Sequence, residues 1–205
     1  MVKRHFLYYI LSIFILSCSS REVDYNALSS FDENNKLRAV IEIPAGTNHK
    51  IEYQPLKNTF EIDTVQGKQS VVKFLPYPFN YGFIPSTKVN YSKTGDALDI
   101  MVFGKPLKTG QIISVNPIGL LKMNNEGEAD YKILSIPVDP KHQIFLIKDF
   151  KDLSIHYPKV RDLIAEWILN YDTNIDTQIL GWFDEIKALE EIKAVQTDKI
   201  KNDGQ

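Results

Sequence analysis

The sequence predicts a mainly β domain of the α+β class, a small antiparallel barrel or sandwich flanked by helices at its C-terminal end. Three observations lead there. Short apolar runs with strand-like alternation are separated by dense turn punctuation, including Gly67, Pro76, Pro78, Gly82, Pro85, Gly95, Gly104 and Pro106. After Pro158 the periodicity changes, and Val160, Leu163, Ile164, Trp167, Ile168 and Tyr171 follow at helical spacing. Finally, strands carry charge where an apolar side chain is expected, which a short barrel with one charge-lined mouth explains, because alternate residues of neighbouring strands converge there.

The chain opens on Lys3 and Arg4, an apolar run from Phe6 to Leu16, then Ser17, Cys18, Ser19 and Ser20. This is the layout of an export signal, and the run is too short to span a bilayer as an ordinary helix. Ile15-Leu16-Ser17-Cys18 resembles a bacterial lipoprotein box, with Cys18, the only cysteine of the chain, as the acylated residue. An ordinary secretory signal or an uncleaved signal anchor is the other reading. We divide the chain into residues 1–17, a signal peptide; 18–36, a lipidated, polar tether without periodicity; and 37–205, the folded domain. The localisation expected is the bacterial cell envelope, with the membrane engaged through the N-terminal lipid only. A single cysteine excludes an intrachain disulfide, so the domain stands on packing alone. A formal charge of −2 offers no basic patch and argues against nucleic acid as a partner.

The domain begins with LRAVIEIP, a strand in which Glu42 falls among isoleucines and valines; a carboxylate in that setting is usually paired or functional. AGTN then turns the chain into HKIEY, where Lys50 and Glu52 lie two apart and so share one face. The same spacing returns at Asp130 and Lys132 in ADYKILSIPV. Outward faces laced by cross-strand ion pairs would also account for these charges. Between the two strands lies YPFNYGFIPSTKVNYSKTGDALDIMVF, residues 77–103, in which Asp96 and Asp99 are three residues apart. On an ideal strand they would face opposite ways, so the turn signals before Asp99 are what would let both reach one hard cation such as Mg²⁺. A solvated hairpin with both aspartates capping the turn is the alternative. Pro158 can open the first C-terminal helix; a second helical segment is expected from about Trp182 to Lys201, with Ile186, Leu189, Ile192 and Val195. Trp167 and Trp182 read as packing residues, and His49, His142 and His156 show no metal-ligand spacing.

Together AVIEIPAGTNHKIEY, FLPYPFNYGFIPST, GDALDIMVF, IGLLKMNNEGEADYKILSIPVD and LIKDFKDL resemble the soluble family I inorganic pyrophosphatases, in order and spacing, from about Leu37 to Trp182. The resemblance implies an OB-like five-stranded antiparallel β-barrel with flanking C-terminal helices, and Mg²⁺-dependent hydrolysis of diphosphate to two phosphates; Mn²⁺ or Zn²⁺ are further candidates. It implies Asp99, Asp130 and Glu42 as metal residues, and Asp96 as both metal residue and general base. Lys50, Tyr81, Lys132 and Tyr171 would hold phosphate oxygens, with Glu52 assisting. Tyr77 would be a ligand or a wall of the pocket. Family members often assemble, so a homo-oligomer is a further expectation, and the family's usual compartment is the cytoplasm.

The departures from the family pattern matter as well. Thr94 and Asn125 stand where metal-binding aspartates belong, and each removes one negative charge from a cation site. No arginine occurs between Arg38 and Arg161, so the family's arginine ahead of Tyr77 is missing, with Lys68 or Lys73 as candidate substitutes. Asp172 follows Tyr171 where a lysine is usual. Two expectations result: a working, retuned diphosphatase with weaker Mg²⁺ binding; or a catalytically weakened relative that binds phosphate compounds or metal at the envelope.

Overall fold

The structure is a computed structural model and describes residues 23–91 and 95–197. Its elements in chain order are β1 (Leu37–Ile43), β2 (Ile51–Gln54), β3 (Thr59–Ile62), β4 (Thr64–Val65), β5 (Lys68–Gln69), β6 (Asn80–Ile84), β7 (Leu98–Val102), β8 (Ile112–Asn125), β9 (Glu128–Pro137), α1 (Phe150–His156), α2 (Lys159–Tyr171), β10 (Thr177–Phe183) and α3 (Glu185–Val195). Strands β1, β6, β7, β9 and β8 pair in that order, and β8 pairs back onto β1, so the sheet closes into a ring. Strand β10 adds to β8 outside the ring, while β2–β3 and β4–β5 are separate two-stranded pieces. No helix among the described residues is long and apolar enough to cross a membrane.

The expected all-antiparallel pairing needs correction: β7 and β9 run parallel, with Asp99 opposite Lys132 and Ile100 opposite Ile133. A parallel pair needs a long crossover, and here the excursion through β8 provides it.

Strand alternation divides the core in two. On one face Leu37, Ala39, Ile41, Leu98, Ile100, Val102 and Ile133 pack with Ala188, Ile192 and Val195 of α3. On the other, Ile43, Phe79, Met101, Leu121, Leu134 and Ile136 pack with Leu153 of α1 and with Ile164, Trp167 and Ile168 of α2. β-Bulges move residues between the faces. The register of β1 against β6 shifts between Ile41 and Ile43, so those two side chains belong to different cores and Glu42 sits in the bulge. A tight crossing accompanies it: a Cβ on Gly82 would lie 1.9 Å from the Val40 carbonyl oxygen.

The helices follow their caps. Asp149 accepts from the Asp152 N–H at 2.7 Å and starts α1, and Pro158 occupies the N-cap of α2. The α2 stripe is as expected except for Leu163, which is 68% exposed. The second helical segment begins later than expected. Residues 177–183 form β10 against β8, and Asp184, accepting from the Lys187 N–H at 3.0 Å, starts α3 only afterwards. Trp182 thus lies on a strand, partly buried against the second core.

Residues 23–36, expected to be a tether, are tied to the ring. Ser30 Oγ donates to the Pro85 carbonyl at 2.8 Å, Arg38 donates to the carbonyls of Ser29 and Phe31, and Asp32 accepts from the Ser114 hydroxyl. The proposed signal peptide and Cys18 lie outside the described residues.

Candidate active site

At one end of the ring, the faces of the second core change from apolar to charged. Moving outward along β7, Met101 gives way to Asp99; along β9, Leu134 gives way to Lys132 and then Asp130; along β8, Met123 gives way to Asn125. The period of two dictates this: each pair of positions shares a strand face, and the sequence swaps hydrocarbon for charge where the core ends. A cleft of about 840 Å³ opens there, lined among others by Glu42, Lys50, Glu52, Tyr77, Tyr81, Asp96, Asp99, Asn125, Asp130, Lys132 and Tyr171. Every described residue expected at the site is therefore on its wall; Thr94 lies outside the described residues.

The parallel pairing builds the centre of the site. Lys132 is buried, and its Nζ donates to Asp99 Oδ2 at 2.7 Å, Asp130 Oδ1 at 2.8 Å and the Tyr81 hydroxyl at 2.8 Å. Tyr81 in turn donates to Asp99 Oδ2 at 2.5 Å. Burial pulls the Lys132 ammonium toward neutrality, but Asp130 and Asp99 outweigh it and hold its pKa well above the usual lysine value. Burial raises the Asp99 carboxyl, against the pull of Lys132, and raises the Tyr81 phenol. Two carboxylates against one ammonium leave one excess negative charge in a desolvated place, a condition that further positive charge relieves.

Asn125 completes this centre. Its Nδ2 donates to Asp130 Oδ2 at 2.6 Å, so Asp130 is held from both sides. The other amide atom, Oδ1, is buried without a hydrogen-bond partner. Asn125, Asp96, Asp99, Asp130, Glu126 and Glu128 border a second, smaller hollow next to the main cleft. Among the described residues no three carboxylates or imidazoles are gathered closely enough to chelate one ion as they stand; the ammonium of Lys132 lies between Asp99 and Asp130. The oxygen-only donor set, the excess negative charge and the unpartnered amide oxygen nonetheless suit a hard divalent cation.

Glu42 enters from the β1 bulge, where its Oε1 accepts the Tyr53 N–H at 2.7 Å. Burial is the main cause that pushes its carboxyl from 4.5 up to about 8, with Asp99 and Glu52 adding to it. Lys50 Nζ stands 2.8 Å from Glu52 and 3.6 Å from Asp63; burial lowers its pKa, but these partners prevail and raise it. Asp96 is exposed on the cleft rim. Tyr77 is buried between Phe79 and Trp167 and acts as a wall, its phenol raised by burial. Tyr171 stacks on Trp167 with centroids 4.9 Å apart and planes 7° from parallel, and burial raises its pKa as well.

Three features of the site were not anticipated. Trp167 lines the cleft besides packing in the core, its Nε1 donating to the Leu75 carbonyl at 2.9 Å. Lys88 is the lysine found on the cleft wall in addition to Lys50 and Lys132, whereas Lys68 and Lys73, the expected stand-ins for arginine, are exposed and do not line it. Tyr25 also reaches the cleft, from a segment without sequence periodicity. Asp172, at the usual lysine position, instead forms a turn beyond α2, accepting from the backbone N–H and side-chain amide of Asn174.

A family model described as inorganic pyrophosphatase matches residues 39–200. The inorganic pyrophosphatase of Synechocystis is 35% identical over 167 residues, covering 79% of this chain and 90% of that protein. That of Caulobacter vibrioides is 38% identical, covering 77% and 86%. Among solved structures, the Thermus thermophilus inorganic pyrophosphatase superposes with a TM-score of 0.71 at 29% identity, covering 84% of this chain and 97% of its own. A truncated Trypanosoma cruzi vacuolar soluble pyrophosphatase in complex with PPi gives a TM-score of 0.69 at 25% identity, covering 78% and 67%. By sequence over most of its length and by the course of its backbone, the chain belongs to the inorganic pyrophosphatase family.

Proposed function

We propose that this protein hydrolyses inorganic diphosphate to two phosphates in an OB-like barrel, with divalent cations, Mg²⁺ foremost, held by Asp99, Asp130 and Asp96 and assisted by Glu42. The observation that carries the reading is the Asp99–Lys132–Asp130 cluster at the mouth of the cleft, a buried ammonium between two partly buried carboxylates. It is one positive charge short, and it faces a wall rich in hydrogen-bond donors. Bound cations would lower the pKa of a water nucleophile and offset the charge of the diphosphate oxygens. The protein groups do the rest. The Asp96 carboxylate, on the exposed rim, takes the proton of the attacking water. Lys50 and Lys132, with the hydroxyls of Tyr81 and Tyr171, donate to phosphate oxygens; their raised pKa values keep all four protonated near neutral pH. Tyr77 and Trp167 supply an apolar wall that excludes water from one side of the site. Glu52 holds Lys50 in place.

The leader belongs to the same proposal: Cys18 is acylated and the enzyme works at the bacterial envelope, as a single copy or a homo-oligomer. Phosphate release from diphosphate is the direct test, with Mg²⁺, Mn²⁺ and Zn²⁺ each titrated. Metal-dependent release is expected. A folded protein that releases nothing with any of the three would instead support the binding-protein reading, which the neutral Asn125 beside Asp130 favours.

A further inference from the structure

We infer that the N-terminal strap, residues 23–36, is part of the site, with Tyr25 as a positioning residue for the β2–β3 hairpin that carries Lys50 and Glu52 to the cleft. The hairpin needs such a support because it forms its own two-stranded sheet and shares no strand ladder with the ring. What holds its tip is side-chain packing. The Tyr25 ring stands edge-on to Tyr53 of β2 at 5.4 Å and to Phe60 of β3 at 5.1 Å, and its hydroxyl donates to the Gly110 carbonyl at 2.9 Å. It therefore spans from the hairpin to the loop leading into β8. The hairpin turn returns the contact, Asn58 Nδ2 donating to the Val23 carbonyl at 2.9 Å. On its far side Tyr53 stacks on Phe83 of β6 at 5.4 Å. Its backbone N–H is the partner of Glu42. A displaced Tyr25 would thus shift Tyr53 and, with it, the Glu42 carboxylate and the neighbouring Lys50–Glu52 pair. Gly110 fits this arrangement: a Cβ there would stand 2.9 Å from the Tyr25 hydroxyl and 3.2 Å from the Phe60 ring, at a φ of +76° that already favours glycine.

The kinetic part of the test rests on the proposed hydrolysis; a second readout does not. In the full-length protein, Tyr25→Ala should raise KM for diphosphate by about tenfold or more, the scale that small displacements of positioned groups produce, with a smaller fall in kcat. Tyr25→Phe, which keeps both ring contacts, should restore most of the affinity. Amide exchange of residues 51–62 should accelerate by about tenfold in Tyr25→Ala and in the milder Asn58→Ala, while β7 and β9 stay protected, whether or not diphosphate is turned over. Unchanged exchange at 51–62, acceleration spread over the whole ring, or a KM equal to that of the unaltered protein would overturn the inference. Failure of the unaltered protein to release phosphate would count against the function alone.

Discussion

Asn125→Asp should have opposite effects with and without divalent cations, and the size of each can be worked from the geometry. In the metal-free protein the Asn125 amide donates to Asp130 Oδ2 at 2.6 Å. A carboxylate in its place removes a hydrogen bond to a charged group, about 1.5–3 kcal/mol, and sets two like charges side by side. At ~3 Å and an effective dielectric near 20 their repulsion would be roughly 5 kcal/mol before the side chain turns away. With relaxation the net loss should be about 2–4 kcal/mol, a fall in melting temperature of roughly 5–15 °C for a chain of this size. A bound cation reverses the sign. One more negative charge ~4 Å from a divalent cation gains roughly 8 kcal/mol before solvation is counted; a tenfold to hundredfold tighter Mg²⁺ dissociation constant, about 1.4–2.8 kcal/mol, is the expected remainder. Thermal melts in chelator and in excess Mg²⁺ read the first effect, and calorimetric titration reads the second. A variant that melts at the unaltered temperature in chelator, or binds Mg²⁺ no more tightly, would refute the account of Asn125 given above.

Further predictions concern the same site. Asp96→Asn should lower phosphate release by about 10²–10⁴-fold, the usual range for a lost general base, with little change in melting temperature because Asp96 is exposed; residual turnover near the original rate would remove Asp96 from the mechanism. Lys132→Met leaves Asp99 and Asp130 facing each other without their shared ammonium and should cost about 3–5 kcal/mol in chelator, partly recovered by Mg²⁺, as urea melts would report. Glu42 gives a pH dependence. Its folded-state pKa is raised from 4.5 to about 8, so the folded protein binds this proton more tightly than the unfolded chain does. Its contribution is present in full below about pH 4.5 and is lost as pH rises toward 8, at up to about 1.4 kcal/mol per pH unit. In the metal-free protein Glu42→Gln should flatten that slope; denaturant melts across the window would show whether it does.

Much of the site could be read from strand alternation. Lys50 with Glu52, and Asp130 with Lys132, were placed on shared faces by their spacing of two, and the charges do converge at one end of the ring. The step that was not legible is the one that assembles the centre. Nothing local in LDIMV or YKILS specifies parallel pairing, because the partner strand lies beyond the long β8 excursion, and only that pairing brings Asp99 to Lys132. Glu42 read as an anomaly within a strand, and the bulge that re-aims it leaves no turn residue to mark it. Residues 177–183 have β-strand composition interrupted by Gly181, but without a visible partner their proximity to the amphipathic α3 pattern shifted the expected helix start forward. The strap reads as a tether for a physical reason: it is held by hydrogen bonds, the Tyr25 ring and the partly buried Phe31, and two isolated aromatic residues leave no hydrophobic period.

The docking of Tyr25 also fixes a length. Six residues lie between it and Cys18, and at ~3.5 Å for each residue step a fully extended chain covers no more than about 25 Å. With Cys18 acylated as proposed, the protein is on a short leash, because the slack ends at the cleft wall. The opening then stays within about 25 Å of the lipid surface, yet that reach exceeds the Debye length of about 8 Å over which an anionic bilayer repels an anion at physiological ionic strength. At full reach such an enzyme would hold its cleft outside that charged layer while staying close to diphosphate released near the membrane face.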